Sequence, residues 1–497
     1  MPSVDWLTRA EETYCSQGDT AAKRSKKIII HRSKGCFVES IEGISYLDMQ
    51  MFNGAANFGY ANPDHTKAIC SKIESFPGVG SEFQNPDRIT LSSQICQSIK
   101  ERFGLKGRVH FSVGGAQAIE DAMKIVMTST GRRLVFAYEG GYHGRTIAAS
   151  AISSSYRYRR RFTSEGRAHF LPYPYCFRCP YDKHPETCNY YCVAQVERLF
   201  QNEFHGFVDP ESEQCEYGAV VVEPVLGRGG YVVPPKDYFR KLKTVLEKHK
   251  ILLIADEIQM GFYRTGKLWS IENFGVAPDI LVFGKAASNG VVPLSGLWAR
   301  EELIDPKRWT PSSSHATFAG NPVSMAAGIA TFNLIEQPAL RKRIARLSEM
   351  FSQYFKRLQK NRPYIARVDC LGLALGVELC LPGSTKPFPE LANTIRETAL
   401  TQPVPNLEPG KMVGMILTVG GYYNNVLILS PSLLMSDDEF TLFSKLFEHY
   451  INLAMDTITP RDHALSKIIK ALGLLTRIGE DNLSPEEYEH LEESMQD

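Results

Sequence analysis

Ile251-Leu252-Leu253-Ile254-Ala255-Asp256-Glu257 is an unbroken apolar run that ends on two acids. A run of this length and uniformity reads as a strand covered on both faces, as in a parallel sheet. Four other stretches have the same character: Arg108-Val109-His110-Phe111, Arg133-Leu134-Val135-Phe136-Ala137, Ala219-Val220-Val221-Val222-Glu223 and Ile280-Leu281-Val282-Phe283. Amphipathic stretches such as 116–128 and 235–249 lie between them. This alternation predicts an α/β domain with a mostly parallel sheet, whose ligands gather beyond the carboxyl ends of the strands. Asp256 stands at such an end. Lys285 follows 29 residues later, in Val282-Phe283-Gly284-Lys285-Ala286. An acid at a strand end and a lone lysine in a small-residue loop suit an aldehyde cofactor. The amine forms a Schiff base with the aldehyde, and the acid keeps a ring nitrogen protonated. Taken alone, the two residues fit a buried ion pair equally well.

Composition narrows the field. The chain has 497 residues, 43% hydrophobic and 22% charged, with a formal charge of +1. That is enough for two or three domains, and the balance gives no electrostatic case for nucleic acid or a membrane surface. No apolar run reaches the roughly 18 residues of a membrane span. The opening Met1-Pro2-Ser3-Val4-Asp5-Trp6 lacks the charged and apolar regions of a secretory signal. Eleven scattered cysteines suggest reduced thiols and a cytoplasmic location. Residues 71–328 are expected to form the large domain. A smaller α+β domain is expected from both termini, 1–70 and 329–455, with a long helix over 330–362 leaving the large one. Gly35-Cys36-Phe37-Val38-Glu39-Ser40 and Ser45-Tyr46-Leu47-Asp48 read as a hairpin able to join that smaller domain. Val377-Glu378-Leu379 and Val426-Leu427-Ile428-Leu429 read as its later strands. The acidic tail, 456–497, reads as a pair of surface helices.

Further motifs cluster at the same sheet edge. Gly114-Gly115-Ala116-Gln117-Ala118 follows a strand and opens a helix, a turn whose free N–H groups and helix dipole suit a phosphate. Gly140-Gly141-Tyr142-His143-Gly144-Arg145-Thr146 places an aromatic ring where it can stack on a planar cofactor or simply pack in the core. Asp256-Glu257-Ile258-Gln259 adds an amide, and His315-Ala316-Thr317-Phe318-Ala319-Gly320-Asn321-Pro322 a hydroxyl before a small-residue turn.

In this order and spacing the segments resemble the class III aminotransferases, the ornithine and 4-aminobutyrate aminotransferase group of fold-type I pyridoxal phosphate enzymes. The likeness runs from Tyr46-Leu47-Asp48 to Ser430-Pro431. It implies that Lys285 is the Schiff-base lysine and proton carrier and that Asp256 pairs with the pyridinium nitrogen. It implies further that Tyr142 stacks on the ring, Gln259 contacts the phenolic oxygen, Gly115 and Ala116 bind phosphate, and Glu223 lies at the cofactor edge. Thr317 matches a threonine that reaches the neighbouring subunit's phosphate, which implies a homodimer with shared sites. The activity implied is transfer of an amino group from an amino acid or amine to a keto acid or aldehyde. Racemisation of amino acids on the same scaffold is the alternative.

The chain also departs from the family pattern. Where Glu-Pro-x-Gln-Gly-Glu is usual, it reads Glu223-Pro224-Val225-Leu226-Gly227-Arg228. The family's second glutamate pairs with a carboxylate-binding arginine near the chain end, and Ile428 stands at that arginine's position. Both halves of the switch have changed. Arg228 can hold a carboxylate bidentately and becomes the candidate replacement, with Arg145 a second. Phe52, Asn53 and Asn57 are expected to line the substrate pocket.

An insert at 172–193 carries Tyr175-Cys176-Phe177-Arg178-Cys179 and Cys188-Asn189-Tyr190-Tyr191-Cys192. The spacing of Cys176, Cys179, Cys188 and Cys192 is near that of a structural zinc or iron–sulfur site, with His184 able to substitute for one ligand. A reduced, aromatic-packed loop is the competing reading.

Overall fold

A computed structural model describes residues 3–458, apart from 17, 19–26, 77, 79, 156–157, 159–167, 202–205, 210 and 406–410. The expected pair of tail helices lies outside the described residues.

The main sheet has seven strands: β1 (Gly107–Ser112), β2 (Leu134–Tyr138), β3 (Ala168–Leu171), β4 (Tyr217–Val222), β5 (Leu252–Asp256), β6 (Ile280–Phe283) and β7 (Ser295–Arg300). Their order is β1-β7-β6-β5-β4-β2-β3. Six run parallel, and β7 is antiparallel to both its neighbours. Every residue of β4 and β6 is buried, which is why these strands read as continuous apolar runs. The five strands expected from sequence are β1, β2, β4, β5 and β6. The other two escape notice for physical reasons. β3 is a four-residue edge strand carrying a histidine, and β7 is broken in pattern by Gly296, whose Cα faces the backbone of its neighbour closely enough that a Cβ would lie 2.4 Å from the His110 carbonyl.

Helix α1 (Gly115–Thr130) crosses from β1 to β2 and buries Ala118, Ala122 and Ile125 against the sheet. The helix expected over 330–362 is two helices, Pro322–Ile335 and α2 (Pro338–Asn361). Pro338 has no N–H to continue the first, and sits at the first turn of the second, where none is needed.

Two smaller sheets complete the fold. In one, Ser45–Asp48 pairs with Phe37–Ser40 in the expected hairpin and, in parallel, with Met412–Ile416 from the other end of the chain. The other orders Ile365–Leu371, Ala374–Leu379, Val426–Leu429 and Thr418–Gly420, all antiparallel. Helix α3 (Pro389–Thr401) packs beside them.

Candidate active site

The carboxyl ends of β1, β2, β4, β5 and β6 open into one cavity of about 660 Å³. Gly114, Gly115, Ala116, Tyr142, His143, Arg145, Glu223, Arg228, Asp256, Gln259 and Lys285 all line it. Five segments separated by up to 170 residues thus meet where an open α/β sheet places its ligands.

Asp256 ends β5, almost fully buried. One carboxylate oxygen accepts from His143 Nδ1 at 2.8 Å, and the other from the Ile258 N–H at 3.1 Å. Burial opposes protonation of His143, but its bond to Asp256, the charge of that residue and that of Glu223 outweigh burial and hold its pKa above the ordinary value. Its other ring nitrogen, Nε2, is buried without a hydrogen-bond partner among the described residues. Glu223, just past β4, accepts from the Tyr142 N–H at 3.1 Å and the Gly227 N–H at 3.3 Å. Burial pushes its carboxyl up to about 7, against the pull of His143. Gly227 makes this turn feasible, since a Cβ there would lie 2.5 Å from Gln259 Oε1 and 2.6 Å from Glu223 Oε1.

Lys285 lies at the turn after β6 with φ +44°, a conformation a side chain rarely adopts. Burial lowers its amine pKa, outweighing the opposing effects of Asp256 and Glu223. The first turn of α1 has no side-chain cap, because Gly114 occupies the N-cap position. Its N–H groups therefore face the cavity available for an anion.

These features fit pyridoxal phosphate. An uncapped helix N-terminus at Gly115 and Ala116 suits the phosphate, Asp256 the ring nitrogen and Lys285 the aldehyde. His143, whose Nε2 is unpartnered among the described residues, holds Asp256 through Nδ1. Tyr142 lines the cavity, with Arg145 6.0 Å from its ring centre and 4.5 Å from that of Tyr158.

Other expected residues fall differently. Gln259 lines the cavity, but its amide donates to the Asn53 carbonyl and the Tyr231 hydroxyl, each at 3.1 Å. Thr317 is exposed and outside this cavity. Phe52 also stands outside it, 56% exposed, in a left-handed backbone conformation with φ +52°. Asn57 is wholly buried on the Phe262 carbonyl and Arg264 Nη2, holding backbone in place of substrate. Asn53 does line the cavity. Arg228 is half-buried in the wall, with Nη1 on the Val419 carbonyl at 3.0 Å, and Ile428 lines the same wall.

The structure favours the reduced-loop reading of the insert. Cys176, Cys179, Cys188 and Cys192 are free thiols, and no cluster of three or more His, Cys, Asp or Glu suited to a metal occurs among the described residues. Burial, reinforced by neighbouring sulfurs, pushes Cys176 and Cys192 up to about 11. A different device holds the insert. Tyr175 and Arg178 both bond Glu378, the latter at 2.6 Å.

Sequence reading passed over His143, Tyr158, Tyr231 and Arg396, which also line the cavity. His143 carried a signal, being next to Tyr142 in the glycine-flanked motif. Arg396 carried none.

Comparison with known proteins agrees with this geometry. A family model described as aminotransferase class-III matches residues 20–451. A diaminobutyrate–2-oxoglutarate aminotransferase of Rhizobium meliloti is 30% identical over 425 residues, covering 83% of this chain and 85% of its own length. An alanine/serine racemase of Pyrococcus horikoshii is 30% identical over 440 residues, covering 87% and 86%. The crystal structure of a Bacillus anthracis aminotransferase superposes with a TM-score of 0.79 at 24% identity, covering 91% of this chain and 99% of its own; it shares the fold.

Proposed function

This chain belongs to the class III aminotransferases, a pyridoxal-phosphate-dependent family, and from that premise we propose that it moves an amino group between a carboxylate-bearing amino acid and a keto acid, with Arg228 gripping the carboxylate. The observation that carries this reading is the meeting of Lys285, Asp256 and the free N-terminus of α1 in one cavity whose wall holds Arg228 where Ile428 removes the family's usual arginine.

When bound, pyridoxal phosphate supplies an aldehyde that takes up an amine and a ring that draws negative charge from the substrate's α carbon. The chain's own residues do the rest. Gly115 and Ala116 donate N–H groups to the phosphate. Asp256, fixed by His143 and the Ile258 N–H, presents its carboxylate to the ring nitrogen. Lys285 Nζ, whose pKa burial lowers, is a free base more readily than an exposed lysine and carries the proton to and from carbon. Tyr142, in the cavity wall, would stack on the ring. Gln259 must give up Asn53 or Tyr231 to reach the phenolic oxygen.

A homodimer completes the site in this reading. Its support is Thr317, exposed and outside its own cavity, next to Phe318, which is 72% exposed. We place the cofactor domain at 71–328 and build the smaller domain from 1–70 and 329–455, since Ser45–Asp48 and Met412–Ile416 pair across that division. All eleven cysteines are unpaired, which supports a reducing, cytoplasmic setting, and no helix among the described residues is long and apolar enough to cross a membrane.

The test is the visible absorbance of the purified holoenzyme during additions of amines and amino acids. Conversion of the cofactor band by a donor and its return with a keto acid support transamination. A persistent band while an amino acid loses optical rotation makes the protein a racemase, a reading to which the loss of both switch residues lends weight. An unchanged carboxylate co-substrate affinity in Arg228→Leu overturns the role of Arg228.

A further inference from the structure

Ser314 lies three residues before Thr317, the residue that reaches the neighbouring subunit's phosphate in the homodimer proposed above. The stretch carrying both has anchors that the chemistry so far does not use. Asp121, on α1, is buried, 1% exposed, and His110 is its only described ion-pair partner. Its Oδ1 accepts from Ser314 Oγ at 2.5 Å, and its Oδ2 from Ser112 Oγ at 2.6 Å. Lys124 Nζ, three residues further along the same helix, donates to Ser314 Oγ at 2.9 Å. Ser314 therefore accepts from a cation and donates to a carboxylate. Bonds with charged partners are about twice as strong as neutral ones, and this pair fixes the direction of the hydroxyl.

The same carboxylate holds the start of the stretch through a second residue. His110 Nε2 faces Asp121 Oδ2 at 3.6 Å, and the Trp309 indole N–H points to His110 Nδ1 at 3.5 Å. The two rings meet edge to face, 5.6 Å apart. An indole N–H only donates, so Nδ1 is the acceptor and Nε2 carries the proton towards the carboxylate. Burial lowers the pKa of His110 against the pull of Asp121, which favours this neutral form. At the far end, Asn321 Oδ1 accepts from the Ser324 N–H at 3.0 Å and caps the helix Pro322–Ile335. Thr317 and Phe318 are exposed between these anchors.

Asp121 thus joins two phosphate sites. Ser112 ends β1, immediately before the turn that opens α1 towards its own cofactor cavity. Ser314 begins the arm that carries Thr317 away from that cavity. A buried carboxylate oxygen deprived of its donor cannot turn to water instead, so the arm is tied to the place the carboxylate gives it.

We propose that Asp121 and Ser314 are positioning residues for the neighbouring subunit's cofactor, their hydrogen bond setting Thr317 for a phosphate held in the other protomer. The assignment rests on the homodimer reading above and deepens it, from a shared site to what holds that site in place.

Mixed dimers of the full-length holoenzyme test it, with cofactor retention on dilution read from the visible band of cofactor bonded to Lys285. A Lys285→Ala subunit cannot form that bond, so only the other subunit's site is seen. In the first mixed dimer Ser314→Ala sits on the Lys285→Ala subunit, whose arm serves the visible site. In the second it sits on the subunit that keeps Lys285. Both dimers contain the same substitutions, so a general loss of stability moves them alike. The first is expected to hold cofactor about tenfold less tightly than a mixed dimer with Lys285→Ala alone, and the second within about twofold of it. Ser314→Thr, which keeps the hydroxyl, should restore most of the difference, and Asp121→Asn should weaken the first dimer at least as much as Ser314→Ala. Weakening by Ser314→Ala that is confined to the second dimer, equal in both or absent from the first overturns the proposal, and a first dimer unmoved by Asp121→Asn removes Asp121 from it. Thr317→Ala in the same arrangements reports on the homodimer reading itself. No effect in the first dimer removes the shared site and this inference with it, whereas an effect of Thr317→Ala without one of Ser314→Ala removes this inference alone.

Discussion

Two buried glutamates, Glu223 in the active site and Glu378 where the four-stranded antiparallel sheet meets the cysteine insert, have opposite electrostatic fates. Both are withdrawn from water. Glu378 accepts from Arg178 Nε at 2.6 Å, Arg367 Nε at 2.8 Å, the Tyr175 hydroxyl and Asn425 Nδ2 at 3.3 Å. Burial alone would raise its pKa, but Arg367, Tyr175 and Arg178 prevail and lower it. Glu223 has two backbone N–H groups and no arginine, and burial prevails. One cluster is satisfied and structural. The other is left short of partners, so that Glu223, pushed up to about 7, answers to an incoming ligand.

Substitutions break the comparison cleanly. The largest effect belongs to Lys285→Ala, expected to lose multiple-turnover activity by about 10⁴-fold or more while the protein still takes up cofactor; steady-state rates with substantial remaining turnover would remove Lys285 from its role. Glu378→Gln keeps the shape of the network but leaves part-buried Arg178 without its carboxylate and buried Arg367 with Asp369 alone, and should cost about 3 kcal/mol in a denaturant melt. Asp256→Asn should lower kcat by on the order of 10²–10³ with little change in stability, and His143→Gln by less, since it acts through Asp256.

The smallest effect has the reverse sign of the Glu378 change. The folded-state pKa of Glu223, about 7, lies above its ordinary 4.5, so its contribution to stability is full below pH 4.5 and fades as pH rises through 7. Glu223→Gln should therefore flatten the pH dependence of the melting temperature of the cofactor-free protein between pH 5 and 8, and match or exceed the unsubstituted protein at pH 8. A variant that melts lower at every pH would place Glu223 with the structural cluster.

The same contrast explains what could be read along the chain. The cofactor half of the cavity comes from strand ends and the turns just after them, so Asp256, Lys285, Tyr142 and Gly115 could be placed from local pattern. A parallel strand buried on both faces announces itself as an apolar run, and its end fixes where the next residue points. The Glu378 network gave no such sign. Arg178, Arg367 and Asn425 look like surface polar residues until Gly230 and Gly376 come together, the latter with a Cβ position 2.7 Å from the Gly230 carbonyl. That close approach brings Arg367 Nη2 to the Gly230 carbonyl at 3.0 Å, in the loop that carries Arg228.

By itself, then, the sequence determined the α/β layering, the order of the motifs, the family, and through the family the cofactor. These rest on short-range rules, the period of burial and the chemistry of a turn. Tertiary structure alone decided which partner each buried charge receives, that Asn57 and Phe52 stand away from the cavity, and that Arg396 stands within it. Such contacts join residues hundreds of positions apart, and their energies depend on burial and direction, which no local pattern encodes.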